Sequence, residues 1–269
     1  MREITGLGRL SPVVVICALI GGCSEGMVRP DGDDHTGSLG EIKSPQTTSR
    51  SGDIYVKLAI AYLQSGQLDV ALQQAKKALR VEPDSAEAHN IIGLIYDRIG
   101  EFPLAERHFR TAIGLEPENS YIRNAYGTFL CKQERYAESV SEFESALANP
   151  LYRTPELAYT NAGICIGKMG ELDRSESFLR KALETNPRFP VALLEMAKLD
   201  LDQKRYQSAR DYVLRFSRVS GHTAESLWVG IQVARKLGDW DMASNYLLQL
   251  NSNYPDSREA QIARETLIR

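Results

Sequence analysis

AEAHNIIGLIYDRIGEFPLAERHFRTAIGLEPEN, residues 86–119, decides the fold. Numbered from 1, it places His89, Ile92, Gly93 and Tyr96 at positions 4, 7, 8 and 11, then Ala105, Phe109, Ala112 and Pro117 at 20, 24, 27 and 32. Ile99-Gly100-Glu101 interrupts the apolar spacing, with glycine where a helix ends in the left-handed conformation. Pro117 stops the second helix, because proline cannot continue the hydrogen-bond ladder. Small residues at 8 and 20 let the two helices approach closely, and bulky residues at 7, 11 and 24 fill the space between them.

The same register extends in both directions. Upstream lie Tyr55, Leu58, Ala59, Tyr62, Ala71, Ala75, Ala78 and Pro83; downstream lie Tyr126, Gly127, Leu130, Ser139, Phe143 and Ala146. A fourth unit has Tyr159, Ala162, Gly163, Ile166, Ser175, Leu179, Ala182 and Pro187. A looser fifth has Leu193, Met196, Ala197, Ala209 and Val213, and a sixth has Leu227, Gly230, Ala234, Ala243, Leu247, Leu250 and Pro255. Pro83, Pro117, Pro187, Gly221 and Pro255 are spaced by 34, 70, 34 and 34 residues, so one central unit carries two extra residues. A fixed period of this length is the mark of a solenoid. The recurring positions resemble the tetratricopeptide pattern from about residue 52 to 255. The expected fold is therefore all-α: a tetratricopeptide-repeat solenoid of about six helical hairpins over residues 52–269, with Asp256 to Arg269 forming a C-terminal capping helix. No hairpin can bury its apolar faces alone, so the units must stack.

The first 22 residues have another character. Arg2 and Arg9 precede a short apolar run from Val13 to Ile20, too short for a good membrane span and suited to an export signal. Ile20-Gly21-Gly22-Cys23 resembles the lipobox of bacterial lipoproteins, although leucine is commoner than isoleucine three residues before the cysteine. The resemblance implies cleavage before Cys23 and acylation of its thiol. Each buried CH₂ of an acyl chain contributes roughly 0.8 kcal/mol, so several chains would anchor the protein firmly. Ser24, where retained lipoproteins carry aspartate, implies outer-membrane sorting to the periplasmic face. Residues 23–51 are rich in Gly, Pro, Ser, Thr and Asp without apolar periodicity, as expected of a tether. About 28 residues of coil span on the order of 30 Å.

Composition narrows the function. The net charge is −3, with Lys and Arg interspersed among Asp and Glu, so no basic field favours nucleic acid. No GxSxG, HExxH, phosphate loop or CxxC pair is present. No catalytic, metal or cofactor site is expected, nor a small-molecule substrate. His35, His89, His108 and His222 read as isolated, with His89 at a repeat packing position.

With Cys17 removed and Cys23 acylated, Cys131 and Cys165 remain. They fall at positions 12 and 10 of the first helices of units three and four. Successive first helices run nearly parallel, so facing residues must lie on opposite sides of their own helices. Two positions at about 100° each give roughly 200°, and the heights differ by about 3 Å. An oxidising compartment then favours a disulfide over two buried free thiols; a Cα separation above about 7 Å would exclude the bond.

Solenoids of this kind usually bind through first-helix positions 2, 5, 9, 12 and 13. Here Val56, Ile60 and Leu63 are followed by Asn90 and Leu94, then Asn124 and Lys132, with Asn161 alongside Thr160. An apolar patch giving way to amides suits an extended peptide, whose backbone the amides would pair. Burial of Ile60 and Leu63 by neighbouring helices is the competing expectation.

The central stretches Asn124-Ala-Tyr-Gly-Thr-Phe-Leu-Cys131, Ala148-Asn-Pro-Leu-Tyr-Arg-Thr-Pro155 and Tyr159-Thr-Asn-Ala-Gly-Ile-Cys165 are more particular than a generic repeat. They resemble the type IV pilus biogenesis lipoproteins called PilF or PilW. That resemblance implies a pilotin, which helps the pilus secretin reach the outer membrane, assemble into multimers and stay stable, so that pili and twitching motility depend on it. The longer loop around Pro150 to Pro155 offers a further contact surface. The rival is a lipoprotein scaffold for another envelope machine, such as β-barrel assembly or peptidoglycan remodelling; an enzyme with an unrecognised site is a third class.

Overall fold

A computed structural model describes residues 47–267. The proposed signal segment, Cys23 and the tether up to residue 46 lie outside the described residues. All regular structure among the described residues is helical. Six antiparallel hairpins follow one another: α1 (Thr47–Gln64) with α2 (Leu68–Val81), α3 (Ala86–Ile99) with α4 (Phe102–Leu115), and α5 (Ser120–Lys132) with α6 (Tyr136–Leu147). Then come α7 (Pro155–Lys168) with α8 (Leu172–Thr185), α9 (Pro190–Asp202) with α10 (Tyr206–Ser220), and α11 (Ala224–Leu237) with α12 (Trp240–Asn253). A final helix, α13 (Arg258–Leu267), buries Ala260 and Ala263 against the last hairpin.

The tether boundary moves. Residues 47–51, read as coil, form the start of α1. Extending an existing helix costs far less than nucleating one, and nothing between Pro45 and Gly52 breaks the ladder.

Close approach within each hairpin follows from the residues at positions 8 and 24. A Cβ added to Gly127 would stand 2.8 Å from the Phe143 ring, and one added to Gly163 would stand 2.8 Å from Leu179 Cγ. Where position 8 is Ala59, position 24 is the small Ala75, and both are fully buried. The pair conserves volume, as close packing requires. Ser139 and Ser175 at position 20 donate 2.7 Å hydrogen bonds to the carbonyls of Gly127 and Gly163. Their buried hydroxyls are thereby satisfied.

Each helical turn inside a hairpin needs one residue in the left-handed region. Gly66, Gly100, Gly170 and Gly238 supply it with φ between 73° and 84°. In the third and fifth hairpins Glu134 and Lys204 occupy the place, at φ 60° and 62°. The next residues, Arg135 and Arg205, reach back to the preceding hairpin. Arg135 pairs with Glu106 at 2.8 Å and Arg205 with Glu176 at 2.7 Å.

Successive first helices touch: α1 with α3, α3 with α5, and so on to α11 with α13. The backbones of successive second helices stay further apart, and α6 and α8 meet through the Arg174–Glu144 ion pair at 3.0 Å. The first helices therefore line the inner wall of the stack, which fixes where a guest could bind.

Candidate protein-binding face

The inner wall is apolar at its start and polar further along. Ile60 and Leu94 are half-buried beside the first core cluster. Val56 and Leu63, expected to line the groove, are core residues instead, at 3% and 9% exposure. They pack with Ile91 and Ile95, because positions 5 and 12 of α1 face α3 and not the open side. Leu63 contributes only its carbonyl, which accepts from Arg98 Nη1 at 2.9 Å.

The amides assemble as a connected group. Asn161 of α7 donates from Nδ2 to Asn124 Oδ1 of α5 at 3.0 Å and to Thr128 Oγ1 at 3.3 Å. This consumes the Asn161 donor and the Asn124 acceptor, leaving Asn124 Nδ2 and Asn161 Oδ1 without side-chain partners among the described residues. One donor and one acceptor side by side match a peptide group. On α3, Asn90 Oδ1 is buried without a partner among the described residues. Lys132 is half taken up: its ammonium lies 2.6 Å from Asp97 Oδ2, whose side chain is 6% exposed.

Cys131 of α5 and Cys165 of α7 are joined in a disulfide, with Cα atoms 5.8 Å apart. The bond fastens neighbouring inner-wall helices about one turn from Asn161 on α7 and two turns from Asn124 on α5.

Two histidines read as isolated are in contact. His89 Nδ1 and His108 Nδ1 lie 2.9 Å apart, because the hairpin folds position 4 of α3 onto position 23 of α4. Burial, together with the mutual repulsion of the two rings, pushes His108 down to about 4; burial lowers His89 as well. Both are neutral at pH 7, one Nδ1 donating to the other. Among the described residues no group of three or more His, Cys, Asp or Glu could hold a metal ion.

The sequence reading did not identify the far end of the wall. A cleft of about 610 Å³ opens between α9 and α11 near their turns, against α13, with Trp228 and Trp240 at its sides. A second, of about 450 Å³, lies under the longer loop, where Tyr121 meets Tyr152 edge-on at 5.1 Å and Leu151 is 84% exposed. Trp228 occupies position 5 of its repeat, the one place where that position is a tryptophan, and this was the available signal.

Tetratricopeptide-repeat profiles match residues 56–106, 93–153, 157–189 and 230–257. The type IV pilus assembly protein PilF of Pseudomonas aeruginosa is 32% identical over 226 residues, covering 84% of this chain and 90% of that protein. The chain belongs to the PilF/PilW family. Among solved structures, Pseudomonas aeruginosa PilF superposes with a TM-score of 0.72 at 32% identity, over 82% of this chain and 99% of that one. PilW, described as a widely conserved type IV pilus biogenesis factor, gives 0.72 at 33% identity, over 79% and 97%. The likeness spans essentially the whole length of both family members, so their fold and repeat register carry over to the hairpins described above.

Proposed function

We propose that this PilF/PilW-family protein is a lipid-anchored pilotin of type IV pilus biogenesis. In this reading Cys23 holds it on the periplasmic face of the outer membrane, and the inner wall binds a segment of the pilus secretin. Binding promotes the secretin's localisation, multimerisation and stability, and so supports twitching motility. The protein acts by holding another protein and not by catalysis. The observation that carries the reading is the Asn124–Asn161 pair, which leaves one donor on the helix next to half-buried Leu94 and one acceptor on the helix beyond, with half-buried Ile60 one helix further along the wall in the other direction. An extended chain could place apolar side chains on that surface and its backbone on the amides.

The test is envelope fractionation of a strain lacking the gene, complemented with the native chain or with an Asn124→Leu/Asn161→Leu variant. Removing two hydrogen-bonding groups of about 1–3 kcal/mol should weaken secretin capture by roughly tenfold or more. Secretin multimers should disappear in the deletion strain and remain depleted with the variant, while β-barrel assembly stays normal. Intact multimers and pili in the deletion strain would sink the proposal, and a barrel-assembly defect would favour the rival scaffold.

A further inference from the structure

The chain contains two tryptophans, and both line the 610 Å³ cleft at the far end of the inner wall. Trp228 projects from α11 and is half-buried; Trp240 opens α12 and is 64% exposed. Large aromatic rings set in a concavity are the side chains that most often anchor a partner. The half-buried Leu201 lies between them and a smaller cleft of about 300 Å³, which continues between α9, α11 and α13 over the same Leu201 and Trp228. The two together form an elongated channel, not a single pocket.

Charge selects the guest. Lys204, Arg235 and Lys236 line the larger cleft against one carboxylate, Asp202, whereas the smaller cleft sets Glu225 and Glu259 beside Lys198 and Arg258, so the cationic excess belongs to the larger cleft. None of the three cations forms an ion pair among the described residues, whereas the turn-end Arg135 and Arg205 do. Among the described residues, Lys204 is also one of two non-glycine residues with left-handed backbone. Glycine would be easier there, so a lysine side chain is being kept at the rim at a backbone cost.

We propose that this channel binds an extended acidic segment of a protein partner, with an apolar or aromatic side chain between the indoles and carboxylates on Lys204, Arg235 and Lys236. Charge-assisted hydrogen bonds to carboxylate supply direction as well as affinity. A membrane surface suits the site less, because Trp228 sits within a concavity that a flat bilayer cannot enter. This site goes beyond the secretin reading and does not depend on it.

Because both indoles lie at the site, tryptophan emission of the full chain in detergent micelles reports on it directly. The probes are an acetylated, amidated Glu-Phe-Glu-Phe-Glu peptide, its Lys-Phe-Lys-Phe-Lys counterpart, and phosphatidylglycerol vesicles. A saturable shift with the acidic peptide is expected. It should be at least about tenfold weaker for the basic peptide and for Arg235→Glu/Lys236→Glu, and should weaken further in salt. Both substituted residues are exposed, and circular dichroism checks that the helices are kept. The Asn124→Leu/Asn161→Leu variant should respond like the native chain, which separates the two sites. Equal binding of both peptides, no saturable change, or a response to vesicles alone would overturn the proposal.

Discussion

The pair His89 and His108 shows how one contact sets a pH dependence. Folding places the two Nδ1 atoms 2.9 Å apart, which suits a donor and an acceptor but not two donors. Arg107 and Lys76 add positive charge near His108, and Asp84 offers His89 a partial counterweight. In the unfolded chain both imidazoles titrate near 6.5, whereas in the folded chain His108 does so at about 4. Between those values the unfolded state binds more protons, so stability falls as pH drops from about 6.5 to about 4. Above that window the pair is neutral in both states and contributes no slope. Thermal melting of the native chain and of His108→Gln across pH 4 to 7 should show a steeper loss in the native chain. Parallel curves would mean that the contact does not form. The sequence placed His89 correctly at a packing position, yet gave no sign of its partner. Position 23 is not a signature position of the repeat, so only the hairpin's geometry brings His108 to it.

At the level of the element, turn chemistry explains why two hairpins look irregular in sequence. Four turns use glycine, whereas Glu134 and Lys204 hold φ near +60° at a cost of about 1–2 kcal/mol each. Arg135 and Arg205, fixed by those turns, tie their hairpins to the preceding ones through Glu106 and Glu176. Partly exposed pairs of this kind contribute roughly 0.2–1 kcal/mol, so they offset only part of the strain. Glu134→Gly should therefore stabilise the chain by roughly 0.5–1 kcal/mol after glycine's extra unfolded-state entropy is counted. Gly100→Ala at the equivalent turn should destabilise it, as a urea titration would measure. Equal midpoints for Glu134→Gly and the native chain would show that no strain is present. The helices themselves were legible because Gly, Ala and Pro recur at fixed positions. The wall lining was less so: position 5 is buried in the first repeat and half-buried in the second, as Val56 and Asn90 illustrate. Which face stays open depends on how neighbouring hairpins rotate, and that rotation is written in no single repeat.

For the whole stack, cohesion rests on junctions between neighbours, since each hairpin touches only the next. Such an array has a stability that is a sum of unit and interface contributions, and a weak interface divides it. The longer loop between α6 and α7 falls at the third junction, yet the two helices stay packed there, Val140 and Phe143 lying in one buried cluster with Ala162, Cys165 and Ile166. Cys131 and Cys165 span that same junction on the opposite, inner side, 34 residues apart in sequence. Closing a loop of this size restricts the unfolded chain by about 4 kcal/mol on the chain-entropy estimate, which is large beside a typical total stability of 5–15 kcal/mol. The bond should thus add to the packing that already joins the two halves. In urea monitored by circular dichroism, the native chain should give a single transition. Addition of a reductant, or the Cys131→Ser/Cys165→Ser variant, should lower the midpoint while the packed junction keeps a single transition. A curve indifferent to reductant would show that the sulfurs are not bonded in solution. A curve split into two steps, hairpins one to three separating from four to six, would show that the crosslink and not the packing of α6 against α7 holds the junction together.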